Sequence, residues 1–236
     1  MSFFNNLFGN KSNSDNSTPV TNPETVTNVP VAPRTLNLTK EAPLNLQKND
    51  VLNLSKSEYI LSRLRACAGW DVNAGRGASY DLDLCAYLQD KNGRIIETIY
   101  FGNKGNVRKK GIELDEDNLT GEGDGDDENI FLNLDVIPNN VSKITIAVVI
   151  YSAASRGQHF GQVKNAYIRL VDESDNDREM FRYNLSNDGG NNRSVIAGEV
   201  FRGDDGWNFF ARGEYSNLKV TTVTDLKIAK SMLEEE

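Results

Sequence analysis

The chain has 236 residues, 38% of them hydrophobic, with a formal net charge of −8 and a mean hydropathy of −0.51. That length holds one domain with a sizeable core and an appendage, not two full domains, and the low hydropathy implies that part of the chain lies outside the packed body. The charge excludes the usual nucleic-acid binder: nine acids and no Lys or Arg fall between Glu113 and Glu128, the remainder is close to neutral, and the basic cluster Arg108-Lys109-Lys110 runs straight into the acids.

At the N-terminus, Phe3, Phe4, Leu7 and Phe8 would share one face of a two-turn helix with Ser2 as cap and Gly9 as stop. Such a helix is too short to persist alone. Its functional reading is a docking peptide for a protein partner, a second copy of the chain or a peripheral membrane contact; the other reading is a frayed terminus. Residues 10–34, dominated by Asn, Ser, Thr, Pro and Val, read as a linker. The expected organisation is therefore an arm over 1–34 and a folded domain over 35–236. Met1–Lys11 lacks a basic start followed by an apolar stretch, and no run approaches the ~18 apolar residues of a membrane span, so a cytoplasmic location is expected.

A short repeat follows, with Leu36-Asn37-Leu38-Thr39-Lys40, Leu44-Asn45-Leu46-Gln47-Lys48 and Leu52-Asn53-Leu54-Ser55-Lys56 recurring every eight residues. Each unit alternates Leu with polar residues, the pattern of a half-buried strand, and predicts short edge strands or extended arms. From Tyr59 onward the pattern predicts strands over 59–68, 80–89, 94–101, 129–134, 142–151, 165–171, 178–185, 194–202 and 206–213. Asn92-Gly93 between two apolar runs marks a hairpin. Many short strands without long helical periods define an all-β class, a two-sheet antiparallel β-sandwich with short helical segments at its periphery. Thr224–Glu236 could form one amphipathic helix, opposed by three terminal glutamates.

The acidic stretch Asp115–Glu128 sets carboxylates, the Asn118 carbonyl and the Thr120 hydroxyl among Gly121, Gly123 and Gly125. Hard oxygens on a chain free to turn tightly suit Ca²⁺, which takes six to eight oxygen ligands in loose geometry. The spacing excludes an EF-hand: a twelve-residue loop starting at Asp115 would put Thr120 where Gly is required, and strands rather than helices flank it. Asp81 and Asp83 have strand spacing and would project from one face. The competing reading is a solvated, self-repelling surface loop, against which stands the cost of so many uncompensated carboxylates in a compact state.

These residues carry a resemblance. Gly69-Trp70-Asp71, Tyr80-Asp81-Leu82-Asp83-Leu84, Asp117–Glu128 with its Gly-Asp-Gly-Asp-Asp-Glu core, and Arg156–Arg169 resemble, in order, the motifs of the TerD family of tellurium-resistance and stress-response proteins. The resemblance covers roughly 36–213. It implies a Ca²⁺-binding sandwich without enzymatic activity, and ligands drawn from Asp81, Asp83, Asp117, Asn118, Asp124, Asp126, Asp127 and Glu128, with room for two ions. The expected role is a stress-response sensor or adaptor of the tellurite, phage or colicin resistance type. The alternative is a structural or assembly module anchored by the N-terminal arm. Departures from the family pattern are that arm, a third Leu-Asn-Leu-x-Lys unit, Ser152 where an acid is common, and the loss of a glycine-rich close beyond Gly213.

The remaining candidates favour structural roles. His159 is the sole histidine, which leaves nucleophilic triads and zinc ligation short of residues. Arg156, Gln158, Gln162 and Asn165 read as a polar loop that satisfies buried backbone groups and pairs with the acidic site, with ligand recognition as the other reading. Trp70 and Trp207 read as core aromatics, and Cys67 and Cys85 as buried thiols. A carboxylate pair acting as acid and base is disfavoured, because acids facing a cation hold their protons poorly.

Overall fold

A computed structural model describes residues 34–37, 46, 48–55 and 61–216. The Phe3, Phe4, Leu7 and Phe8 peptide, the linker, the middle Leu-Asn-Leu unit apart from Leu46 and Lys48, and the 224–236 segment lie outside the described residues. Among the described residues thirteen strands form two sheets: β1 (Thr35–Asn37), β2 (Val51–Asn53), β3 (Arg63–Gly69), β4 (Leu82–Gln89), β5 (Ile95–Ile99), β6 (Gly105–Asn106), β7 (Ile112–Leu114), β8 (Glu128–Asn133), β9 (Lys143–Ile150), β10 (Tyr167–Asp172), β11 (Arg178–Asn184), β12 (Ser194–Gly203) and β13 (Gly206–Ser216). The seven-stranded sheet runs β1-β2-β13-β12-β9-β4-β5 and the six-stranded sheet β11-β10-β3-β8-β7-β6.

Alternation along the strands explains the layering. Leu82, Leu84, Ala86 and Leu88 of β4 pair with Ile150, Val148, Ile146 and Ile144 of β9, and all eight enter the main core. Across the core, Leu64 and Ala66 of β3 pair with Leu132 and Ile130 of β8, again buried. The next inward position on β8 is Glu128, opposite Ala68, which carries a carboxylate to the edge of the space between the sheets. On the other face of β4 and β9, Cys85, Tyr87, Ala147 and Val149 form a second buried cluster. Both cysteines are buried free thiols, and Trp70 and Trp207 are buried.

All nine strands expected from Tyr59 onward are present. The pattern did not reveal β6 and β7, which at two and three residues are too short to display a period of two. Asn92-Gly93 lies in the β4–β5 turn, where Gly93 has φ 77° and Asp90 Oδ1 accepts the Asn92 and Arg94 amides at 2.9 and 3.0 Å. The first and third Leu-Asn-Leu units contribute β1 and β2 at one end of the larger sheet. They pair with each other in parallel, the one departure from antiparallel pairing among the described residues. Helical structure among the described residues is confined to single turns at 107–110, 153–156, 160–162, 173–175 and 185–188. Among the described residues no helix is long and apolar enough to cross a membrane.

Candidate metal centre

The acidic loop leaves β7 and returns as β8, which brings residues 115–127 to the end of the sandwich where β4 begins. Strands flank it, as the sequence required. Asn118 organises its first turn: Oδ1 accepts the Thr120 and Gly121 amides at 3.1 and 2.9 Å, and Nδ2 donates to Asp127 Oδ1 at 2.9 Å. Gly121 has φ 71°, and a Cβ there would lie 2.5 Å from the Trp70 ring, so only glycine lets the loop close on that indole. Trp70 is fixed in turn, because its amide donates to Asp127 Oδ2 at 2.8 Å and its indole N–H to the Tyr80 carbonyl at 3.0 Å.

Asp81 and Asp83 reach the loop from the start of β4, as their spacing predicted. Oxygens of Asp81, Asp83 and Asp117 all lie within 4.8 Å of one another, with Asp81 buried, Asp83 half-buried and Asp117 exposed. Ligands of one Ca²⁺, each about 2.4 Å from the ion, lie no more than about 5 Å apart, so the three carboxylates fit a single ion. A second observation points the same way: Asp81 Oδ1 is buried with no hydrogen-bond partner, while Oδ2 has the Arg156 guanidinium at 3.6 Å. A buried carboxylate oxygen left unpaired is costly unless something positive meets it.

Electrostatics record the crowding. Burial, with the charges of Asp81 and Asp117, pushes the Asp83 carboxyl up to about 8. Burial pushes Asp81 to about 6, Arg156 opposing and Asp117 adding. Glu128 rises to about 9, chiefly through burial, with the Leu84 amide opposing and Asp83 and Asp117 adding. Without a cation these groups resist ionisation, and a divalent cation would reverse that preference.

The other expected ligands divide. Glu128 is buried beside the cluster; its Oε2 accepts the Leu84 amide at 2.7 Å and its Oε1 the Asn118 amide at 3.4 Å. Asp127 holds Trp70 and Asn118, as above. Asp124 is exposed and lies outside the three-carboxylate group. Asp126 departs from its expected role, since both its oxygens are engaged elsewhere. Arg169 Nε donates to Oδ1 at 2.8 Å and Nη2 to Oδ2 at 2.7 Å, and the Tyr167 hydroxyl lies 2.9 Å from Oδ1. Burial alone would raise Asp126, but the hydrogen bonds from Arg169 and Tyr167 outweigh it and hold the carboxyl below the usual range. Asp126 is thus the clamp that fastens the loop to β10.

The polar block after β9 supports the site as expected. Gln158 Nε2 donates to the Ala78 and Ser79 carbonyls at 3.0 and 3.1 Å, fixing the segment that delivers Asp81. Asn165 Nδ2 donates to Asp71 Oδ2 at 2.9 Å. His159 takes a packing position, its Nδ1 3.0 Å from the Gly190 carbonyl. Arg156 pairs with the acidic site as expected, at 3.6 Å from Asp81 Oδ2; one contributor was not singled out, Asp115, whose oxygens accept the Asn129 amide and side chain, both at 2.8 Å. The Asp115–Asn129 pairing joins residues 14 apart in sequence, and no local pattern signals it.

Fold and site define the class: a two-sheet, all-β protein with a carboxylate cluster under a glycine-rich loop at one end. The TerD domain family matches residues 43–224, and the chain belongs to that family. General stress protein 16U of Bacillus subtilis is 39% identical over 161 residues, covering 65% of this chain and 80% of its own. Tellurium resistance protein TerD of Alcaligenes sp is 40% identical over 152 residues, covering 61% and 76%. The crystal structure of a homologue of telluride resistance protein from Streptomyces coelicolor shares the fold, with TM-score 0.59 and 19% identity over 70% of this chain and 95% of that one.

Proposed function

We propose that the chain is a non-enzymatic, Ca²⁺-binding stress-response protein that works as a sensor or adaptor. The observation that supports this most is the convergence of Asp81, Asp83 and Asp117 around the unpartnered Asp81 Oδ1. These three would hold the ion, with Glu128, Asp127 and Asn118 beside them. The chemistry a bound Ca²⁺ supplies is charge neutralisation and cross-linking of the loop to β4. The chain's own residues supply the rest: Asp126 with Arg169 ties the far side of the loop to β10, Trp70 packs beneath it, and Glu128 joins it to β4. Loading then changes the surface over 115–127, which is the part a partner would read. Relatives named for general stress and for tellurium resistance support a protective role of the same type.

Thermal unfolding of chelator-stripped protein, with and without millimolar Ca²⁺, tests the reading. A ligand that binds only the folded state raises its stability by RT ln(1 + [L]/Kd), so the midpoint should rise with Ca²⁺ and far less with Mg²⁺. No rise with either ion would reduce the acidic run to a solvated loop.

A further inference from the structure

On the outer face of the six-stranded sheet a cleft of about 320 Å³ is lined by Arg63, Val107, Arg108, Phe131, Asn133 and Glu173. Its volume falls in the range of small-ligand sites, about 300–1,000 Å³. It lies at the opposite end of the β3–β8 pair from the acidic loop, since Arg63 pairs with Asn133 at one end of the ladder and Ala68 with Glu128 at the other. The register builds it: Arg63 faces Asn133 and Arg65 faces Phe131, which puts these four side chains on one face while Leu64 and Leu132 enter the core. Arg108 and Val107 come from the helical turn after β6, and Glu173 from the turn after β10.

Charge pairing in the cleft is incomplete. Arg65 is committed, with Asp177 at 2.6 Å, Glu173 at 3.8 Å and the Phe131 ring 5.8 Å away. Arg63 and Arg108 are exposed and make no ion pair or hydrogen bond with the described residues; Arg63 acts on Glu173 only from beyond ion-pair range. In a chain of net charge −8, two arginines from separate elements, without an ion pair among the described residues, line one cleft together with the apolar side chains of Phe131 and Val107. An anion in the cleft would gain a favourable interaction with both.

The geometry points to a binding site for a small organic phosphate monoester, its phosphoryl group held by Arg63 and Arg108 and its carbon body laid against Phe131 and Val107. Two guanidiniums from different elements suit a dianion with three acceptor oxygens, whereas a carboxylate is satisfied by a single guanidinium fork. The Asn133 amide adds a neutral polar group. Glu173 also lines the cleft and lies 3.8 Å from Arg65; its carboxylate disfavours ligands that carry more negative charge than one phosphoryl group.

The test is titration of the full chain with phenyl phosphate and, separately, inorganic phosphate, followed by calorimetry or amide chemical shifts, with Arg63→Gln and Arg108→Gln variants whose exposed positions spare the core. The expected result is saturable binding of phenyl phosphate, at least tenfold weaker in each variant, with inorganic phosphate at least tenfold weaker than phenyl phosphate. Absence of saturable binding, unchanged affinity in both variants, or equal affinity for inorganic phosphate would overturn the assignment.

Discussion

Glu128 of β8 reaches across to the other sheet and accepts the Leu84 amide of β4 at 2.7 Å. Strand β5 first pairs with β4 at Ala86, so the Leu84 N–H on that side has no ladder partner, and Glu128 supplies one while standing beside the Asp81–Asp83–Asp117 cluster.

From this bond follows a contrast between two substitutions. With its carboxyl raised to about 9 by burial and neighbouring acids, Glu128 is neutral in metal-free protein at pH 7. Glu128→Gln keeps an acceptor for Leu84 and should change metal-free stability little. Glu128→Ala leaves a buried amide unpaired and should cost about 1–3 kcal/mol. Urea unfolding of both variants under chelator measures the difference.

The raised carboxyls also set a pH dependence. In unfolded chain Asp81, Asp83 and Glu128 titrate near pH 4, whereas in metal-free folded protein burial and neighbouring acids push them up to about 6, 8 and 9. Between about pH 4 and pH 9 the folded state therefore holds more protons, and these groups lower stability as pH rises. The melting midpoint under chelator should fall from pH 5 to pH 9, and Ca²⁺ should flatten the fall and bind more tightly at the alkaline end. A chelator-treated midpoint that climbs over this range would contradict the arrangement.

Asp83→Asn and Arg169→Ala should behave oppositely toward calcium. The first replaces a carboxyl that burial and neighbouring acids push up to about 8, so it should preserve metal-free stability at neutral pH while weakening Ca²⁺ binding by tenfold or more. The second strips the partner from the half-buried Asp126 carboxylate and should cost about 3 kcal/mol, with or without the ion. Thermal unfolding of each variant at both calcium conditions separates the two roles.

Gly121 tests the loop's seat on Trp70. At φ 71° and with no room for a Cβ, Gly121→Ala should destabilise the protein by more than about 1 kcal/mol and alter the Trp70 fluorescence. An alanine variant with unchanged stability and emission would place the strain elsewhere.

How much of this was legible in the sequence depended on range. The alternation in Leu82–Leu88 and Ile144–Ile150 made the central strands plain, and the two-residue spacing of Asp81 and Asp83 put them on one face. The order of the acidic and Trp70 motifs carried the family. Asp126 could not be told from its neighbours locally, because what distinguishes it is Arg169, brought alongside by the pairing of β10 with β3. Glu128 likewise reads as one more acid in a run until the sheets pack and Leu84 meets it. The strands β6 and β7 were hidden by brevity, and the parallel pairing of β1 with β2 by the fact that a repeat states the strands but not their direction.

Asp81, Asp83 and Asp117 are expected to hold one Ca²⁺ between them. Calorimetric titration of chelator-stripped full chain with Ca²⁺, repeated on Asp83→Asn and Asp117→Asn, tests it most directly. Saturable binding that releases protons at pH 7 and weakens at least tenfold in each variant is expected; binding that both variants leave unchanged, or no binding to the unaltered chain, would contradict a shared site.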